Sequence, residues 1–272
     1  AVESQNINTH KSEAISRERG GTASFERPQA ARPASLGEIS QQGNFVSRKG
    51  SLPERSMSTE TSNKVYFGNP SYQITGLPPF TDNPFATIGN DWSLPHTVLT
   101  EKNLAEFHDI AEKVAEKMRE SGWKGLFGID VIYDEERDEM KLLEINARQP
   151  ASTTFESQLQ TKLRDQGIAG TTIFEAHLSA LVQGQTLYDR GPTLYINDGA
   201  QVIQRITNVR PMQNTRSDLV QESMETAGYN VIPYNNTKPN SDLLRIQSDR
   251  GIMEKPGKFN QRGEAIIKIL EK

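Results

Sequence analysis

At 272 residues the chain can hold one large domain or two small ones, and with 34% hydrophobic and 7% aromatic residues it is poor in core formers, so part of it is expected to stay unfolded. A net charge of -4, with no basic stripe interleaved with aromatics, gives no global attraction to nucleic acid or to a membrane surface. The absence of cysteine excludes disulfides, thiol nucleophiles and Cys-based zinc sites, and no stretch approaches the roughly 18 to 20 apolar residues of a membrane span, so a soluble cytoplasmic protein is expected.

Residues 1–62 are dominated by Ser, Arg, Glu, Gln, Asn, Gly and Pro, with no sustained period of 2 or 3.6. Such a segment cannot bury enough surface to offset its ordering entropy. A disordered polar segment is expected, either a natural tail or linker or a non-native stretch left by truncation or fusion. Residues 64–68 and 71–75 then read as two short strands around Asn69-Pro70. The turn-like run 76–96 follows, a connection long enough to be functional or mobile. Its polar groups Thr81, Asp82, Asn83, Asn90, Asp91 and His96 are candidates for substrate contact, with Asx turns and caps as their ordinary roles.

A helix comes next. Thr100 suits its N-cap, Leu104, Phe107, Ala111, Val114 and Met118 recur at spacings of three and four, and Gly122 closes it. His108 falls off this stripe and reads as a surface residue. Two β-branched apolar runs, 125–133 and 140–147, then flank the charged segment 134–139, the signal for two antiparallel strands joined by a short loop. A loop centred near Arg137 sets Ile132 opposite Leu142, Asp130 opposite Glu144 and Gly128 opposite Asn146. Alternation then gives one face Gly128, Asp130, Ile132, Leu142, Glu144 and Asn146. The other carries Phe127, Ile129, Val131, Tyr133, Leu143 and Ile145 and is core-like, with Lys141 its exception near the loop.

Two carboxylates directly opposite each other repel, so something positive should sit between them. Asp130, Glu144 and the amide oxygen of Asn146 make a hard-oxygen cluster suited to Mg²⁺ or Mn²⁺. Arg148 would point to the same side if the strand continued, and its planar fork matches a phosphate or carboxylate. Ile132 and Leu142 would form an apolar floor for one flat ring. The same spacing also fits a solvated sheet face whose acids pair with neighbouring Lys or Arg, and spacing alone does not choose between the two.

After Arg148, the run QPASTTFE places Ser152, Thr153 and Thr154 before a helix over 155–165. Hydroxyls and N–H groups at a helix start suit a substrate carboxylate or phosphate, and they suit simple N-capping equally. A second helix is expected over 172–182, with His177 packed or at the surface. Beyond it, strand-like pieces at 193–196, 201–207, 230–233 and 243–247 surround an amphipathic helix over 217–227, with a closing element at 266–270. These make a small α+β domain over 186–272. The four histidines show no HxH or HExxH spacing, which leaves a carboxylate-based metal hydrolase short of ligands.

The run GIDVIYD…LLEINARQPAS resembles the C-terminal metal-binding strands of the ATP-grasp superfamily, and FEAHLSALVQGQTL resembles the helix that follows them in many members. The match covers residues 65–187. It implies an α+β fold, an antiparallel sheet covered on one side by helices over 63–185, with the small α+β domain after it. It also implies ATP and Mg²⁺ or Mn²⁺ as cofactors, with Asp130, Glu144 and Asn146 as metal ligands and Arg148 assisting phosphoryl transfer. Ile132 and Leu142 would line the nucleotide side, and Ser152 and Thr153 are substrate-binding candidates. The implied activity is that of a ligase: a small-molecule carboxylate becomes an acyl phosphate, which an amine or other nucleophile attacks. The family clamps ATP between two halves, the first bringing lysines and a Gly-rich loop. Gly20-Gly21 lies in a polar tract and no GxxxxGK[ST] motif occurs, so the chain is expected to carry the second half only, with a first half as the missing partner. A non-catalytic metal-binding or interaction domain derived from such a module is the alternative.

Overall fold

The periods read in the sequence become a nine-stranded sheet with helices on both faces. The computed structural model describes residues 38–47, 65–182, 190–208 and 218–271. The sheet strands are β1 (Glu38–Ser47), β2 (Val65–Phe67), β3 (Ser71–Thr75), β4 (Thr87–Asp91), β5 (Gly125–Asp134), β6 (Glu139–Asn146), β7 (Ala200–Arg205), β8 (Asn230–Pro233) and β9 (Asp242–Ser248). They run in the order β6-β5-β1-β3-β4-β7-β9-β8, with β2 also on β1, and every pairing is antiparallel. A separate two-stranded ribbon joins β10 (Met253–Lys255) to β11 (Lys258–Phe259). The helices are α1 (Pro95–Val98), α2 (Glu101–Glu120), α3 (Thr153–Asp165), α4 (Ile173–Leu181), α5 (Asp218–Thr226) and α6 (Gln261–Leu270). No helix among the described residues is long and apolar enough to cross a membrane.

The start of α2 is built as its sequence requires. Thr100 Oγ1 accepts the Asn103 N–H at 3.2 Å while Asn103 Oδ1 accepts the Thr100 N–H at 2.9 Å, a reciprocal cap that satisfies two helix-end donors. The helix buries Phe107, Ala111, Val114 and Ala115 against Phe127, Ile129, Val131 and Met140 of the β5–β6 hairpin. Further along the same face, α5 and α6 bring Val220, Met224, Ile266 and Leu270 onto Tyr72, Val202, Leu244 and Ile246. Between the two cores runs β1, in which the backbone of Gln41 lies opposite both Val131 and Tyr72. On the other face Ile173 and Ala176 of α4 pack on Leu126, and Phe155 and Leu159 of α3 pack on Trp92.

Three expectations are corrected here. Helices cover both faces rather than one, because α3 and α4 fold back over the face that carries Asp130. Glu38–Ser47, inside the segment expected to be disordered, is a ten-residue strand paired with β5 along its whole length and with β3 on its other side. Its sequence EISQQGNFVS carries no clean apolar alternation, and ladders on both sides supply what periodicity does not advertise. The rest of 1–62 lies outside the described residues. Finally, apart from the β10–β11 ribbon, the strands of residues 186–272 join the sheet of the preceding residues: β7 pairs with β4 and carries it onward to β9 and β8. Among the smaller features, β4 rises within the stretch read as turns, and the expected strand at 193–196 reduces to one bridge between Thr171 and Thr193.

Candidate functional site

The turn of the β5–β6 hairpin is held by α2. The Asp138 carboxylate, on a residue with φ of 50°, accepts from Lys102 Nζ at 2.5 Å, Asn103 Nδ2 at 2.7 Å and the Tyr133 hydroxyl at 3.1 Å. These donors hold its pKa down at about 2. Asp134, gripped by Arg137 and Lys141, is likewise lowered to about 2.

From this turn the register runs to the acids. Asp130 faces Glu144 and Gly128 faces Asn146, as the loop position implies. Between them and the turn lies a β-bulge in which Leu143 is the extra residue, so that Val131 faces Leu142, Ile132 faces Lys141 and Tyr133 faces Met140. The bulge corrects the expected faces. Leu142 leaves Ile132 and joins Val131 and Met140 on the α2 side, so the pair expected to floor a flat ring is not formed. Leu142, Leu143 and Ile145 are 42%, 61% and 43% exposed, because β6 is the outermost strand of the sheet and has a neighbour on one side only.

Asp130 and Asn146 are buried, and Asn146 Nδ2 lies 3.4 Å from Asp130 Oδ2, while Glu144 is exposed. The strand does not continue to Arg148. The Arg148 N–H donates to the Asn146 carbonyl at 2.8 Å, a three-residue turn that ends β6 and leaves the guanidinium exposed, with Nη1 3.4 Å from the Gln149 carbonyl. Ser152 and Thr153 are buried at the start of α3, and the Ser152 hydroxyl makes no capping bond to that helix. Among the described residues no group of three or more His, Asp or Glu converges as a metal site. The hairpin brings together two opposed carboxylates and the Asn146 amide, whose Nδ2 is the atom turned toward Asp130; the carboxylate oxygens are hard donors of the kind Mg²⁺ takes, an ion that binds few protein oxygens and keeps its waters.

No protein-family model matches the chain, and no curated protein matches it by sequence. Solved structures do. N5-carboxyaminoimidazole synthetase from Staphylococcus aureus, complexed with ADP, superposes with a TM-score of 0.51 at 9% identity over 86% of this chain and 49% of that one. A second structure of the same enzyme gives 0.50 at 11% identity over 88% and 51%. A variant of Rhizobium etli pyruvate carboxylase with the allosteric activator acetyl coenzyme A gives 0.50 at 9% identity, over 86% of this chain and 18% of that one. The fold is that of the ATP-grasp enzymes. At these identities the likeness is one of fold, and the chain spans about half the length of the synthetase it matches.

Elsewhere in this ATP-grasp fold, the polar residues of the 76–96 connection serve the chain itself. Asp91, fully buried, accepts from Ser93 N–H, Ser93 Oγ and Leu94 N–H at Oδ1 and from Ile252 and Met253 N–H at Oδ2, at 2.7 to 3.0 Å. Thr81 and Asn83 accept from the N–H groups two residues on, and Asp82 accepts from Asn208 N–H. His96 Nδ1 lies 3.2 Å from the Tyr195 hydroxyl. What sequence reasoning missed is a row of amides on the face of Asp130: Asn90, Gln201, Gln247 and Asn230 occupy successive facing positions across β4, β7, β9 and β8. Their signal was a polar residue at the inward position of otherwise apolar strands.

Proposed function

We propose that this chain is an ATP- and Mg²⁺-dependent ligase of the ATP-grasp type, which activates a small-molecule carboxylate as an acyl phosphate for attack by an amine or other nucleophile. The observation that carries the reading is the Asp130–Glu144 pair with Asn146 beside it, on a fold shared with enzymes of that kind. An Mg²⁺ ion held by Asp130, Glu144 and Asn146 would neutralise charge on phosphate oxygens.

The protein's own groups then divide the work. Asp130 is fixed in the middle of β5 with strands on both sides, a rigid anchor, whereas exposed Glu144 on the edge strand can adjust to its ligand. Arg148, free of the strand, offers two parallel donors to a phosphate or an acyl phosphate. Ile132, on the Asp130 face, lies on the nucleotide side, and Ser152 and Thr153 mark where the substrate carboxylate would approach.

The test is formation of ADP from Mg²⁺-ATP by the intact gene product, trapping acyl phosphate with hydroxylamine across a panel of carboxylic acids. Turnover with at least one acid, lost by roughly a hundredfold or more in Glu144→Ala, is the expected result. Unchanged turnover in that variant would remove Glu144 from the metal face and the reading with it.

A further inference from the structure

The amide row does not stay buried. Asn90 Nδ2 donates to Ser71 Oγ at 3.2 Å, Gln201 Nε2 to Asn90 Oδ1 at 3.3 Å, and Asn230 Nδ2 to Gln247 Oε1 at 2.7 Å. Its middle is closed off, with Gln201 and Gln247 each 3% exposed, but its last member, Asn230 on the terminal strand β8, is exposed. There the row forms part of the lining of a cleft of about 880 Å³, with α3 and the start of α4 on one side and the turn from α5 into β8 on the other. That volume falls in the range of roughly 300–1,000 Å³ typical of small-molecule sites.

The lining points to one chemistry. Gln158 and Thr154 of α3 are exposed and share the cleft with Asn230, so amides and a hydroxyl that both donate and accept meet across it. Phe174, 39% exposed at the start of α4, adds an aromatic face. The cations of the lining already have partners: Lys162 Nζ is 2.5 Å from Asp249 Oδ1 on the far wall, and Arg164 Nη1 is 2.7 and 2.8 Å from the two Glu175 oxygens. A phosphate or carboxylate would have to break an ion pair to be held, whereas a ligand of hydroxyls would not.

We infer that this cleft binds a neutral polyhydroxylated molecule of mono- to disaccharide size, its hydroxyls taken by Thr154, Gln158 and Asn230 and one ring face by Phe174. The inference does not depend on the metal face, since none of Asp130, Glu144 or Asn146 lines the cleft.

The experiment is a titration of the ¹⁵N-labelled full chain with maltose, with N-acetylglucosamine and with inorganic phosphate, followed by amide chemical shifts without nucleotide or metal. Saturable shifts at the cleft residues with a sugar and none with phosphate are expected. Binding should weaken roughly tenfold in Gln158→Ala and in Asn230→Ala, both of exposed side chains whose loss leaves the fold intact. No shift with either sugar, binding of phosphate in their place, or sugar affinity unchanged from wild type in both variants would overturn it.

Discussion

Asp91 and Asp130 show one side chain put to two uses. The Asp91 carboxylate, fully buried, spreads its charge over five donors and ties the end of β4 to Ile252 and Met253, more than 150 residues away. Asp91→Ala leaves those donors unsatisfied, and it should cost about 3 kcal/mol or more in urea unfolding, with Asp91→Asn costing less because one acceptor oxygen remains. His177 is a second fold-holding residue: its Nδ1 accepts the Leu126 N–H at 3.0 Å at the start of β5, and burial lowers its pKa. The unfolded chain therefore binds the proton more readily than the folded one. This contribution is whole above the ordinary histidine value of about 6.5 and is lost as pH falls through that value toward the depressed folded one. Burial lowers His96 in the same direction. Urea midpoints should thus drop between pH 7 and pH 5, and His177→Gln, which keeps an acceptor without a titrating ring, should flatten part of that slope.

At the scale of elements, the α2 start and the hairpin turn stand or fall together. Asn103 is fully buried, completes the reciprocal cap with Thr100 and donates to Asp138, so Asn103→Ala should cost about 2 kcal/mol, measurable by thermal or chemical unfolding. The helix was legible because its apolar spacing and its cap both sit in adjacent residues. The hairpin was legible in its two runs and in the facing of Asp130 with Glu144, since the charged turn sets the register nearby. The bulge at Leu143 was not, because no Gly, Pro or polar break marks it: Leu142 and Leu143 are both apolar, and only the edge position of β6 makes their exposure tolerable. The alternation read there as a core face therefore failed at Leu143 and Ile145 while holding at Phe127, Ile129 and Val131.

Across the whole molecule, the sheet depends on a strand that its own sequence does not declare. β1 lies between the hairpin that carries the acids and the strands β3 to β9 that carry the amide row, and its backbone ladders join the two. A polar segment is read as unfolded when its burial is judged alone; here the neighbours on both sides supply the order. Gln42, opposite both Asp130 and Ser71, is the position to probe. Gln42→Pro removes a backbone donor in a central strand, so it should destabilise the fold by about 3 kcal/mol and lower hydrogen-exchange protection across β5. An unaltered exchange pattern would mean that β1 is dispensable. The pairing of β7 with β4, which carries the sheet past residue 185, was illegible for a related reason, since a long-range pairing leaves no local trace in either segment.

The proposed metal site of Asp130, Glu144 and Asn146 is read directly by Mn²⁺. Calorimetric titration of Mn²⁺, followed by Mg²⁺-ATP, into the wild-type chain and into Asp130→Asn/Glu144→Gln separates metal binding from turnover. Saturable Mn²⁺ binding in the wild type, weakened at least roughly tenfold when both carboxylates are neutralised, is the predicted result. Equal Mn²⁺ affinity in the two proteins, or none in either, would contradict it and leave the paired acids as part of an ordinary sheet face.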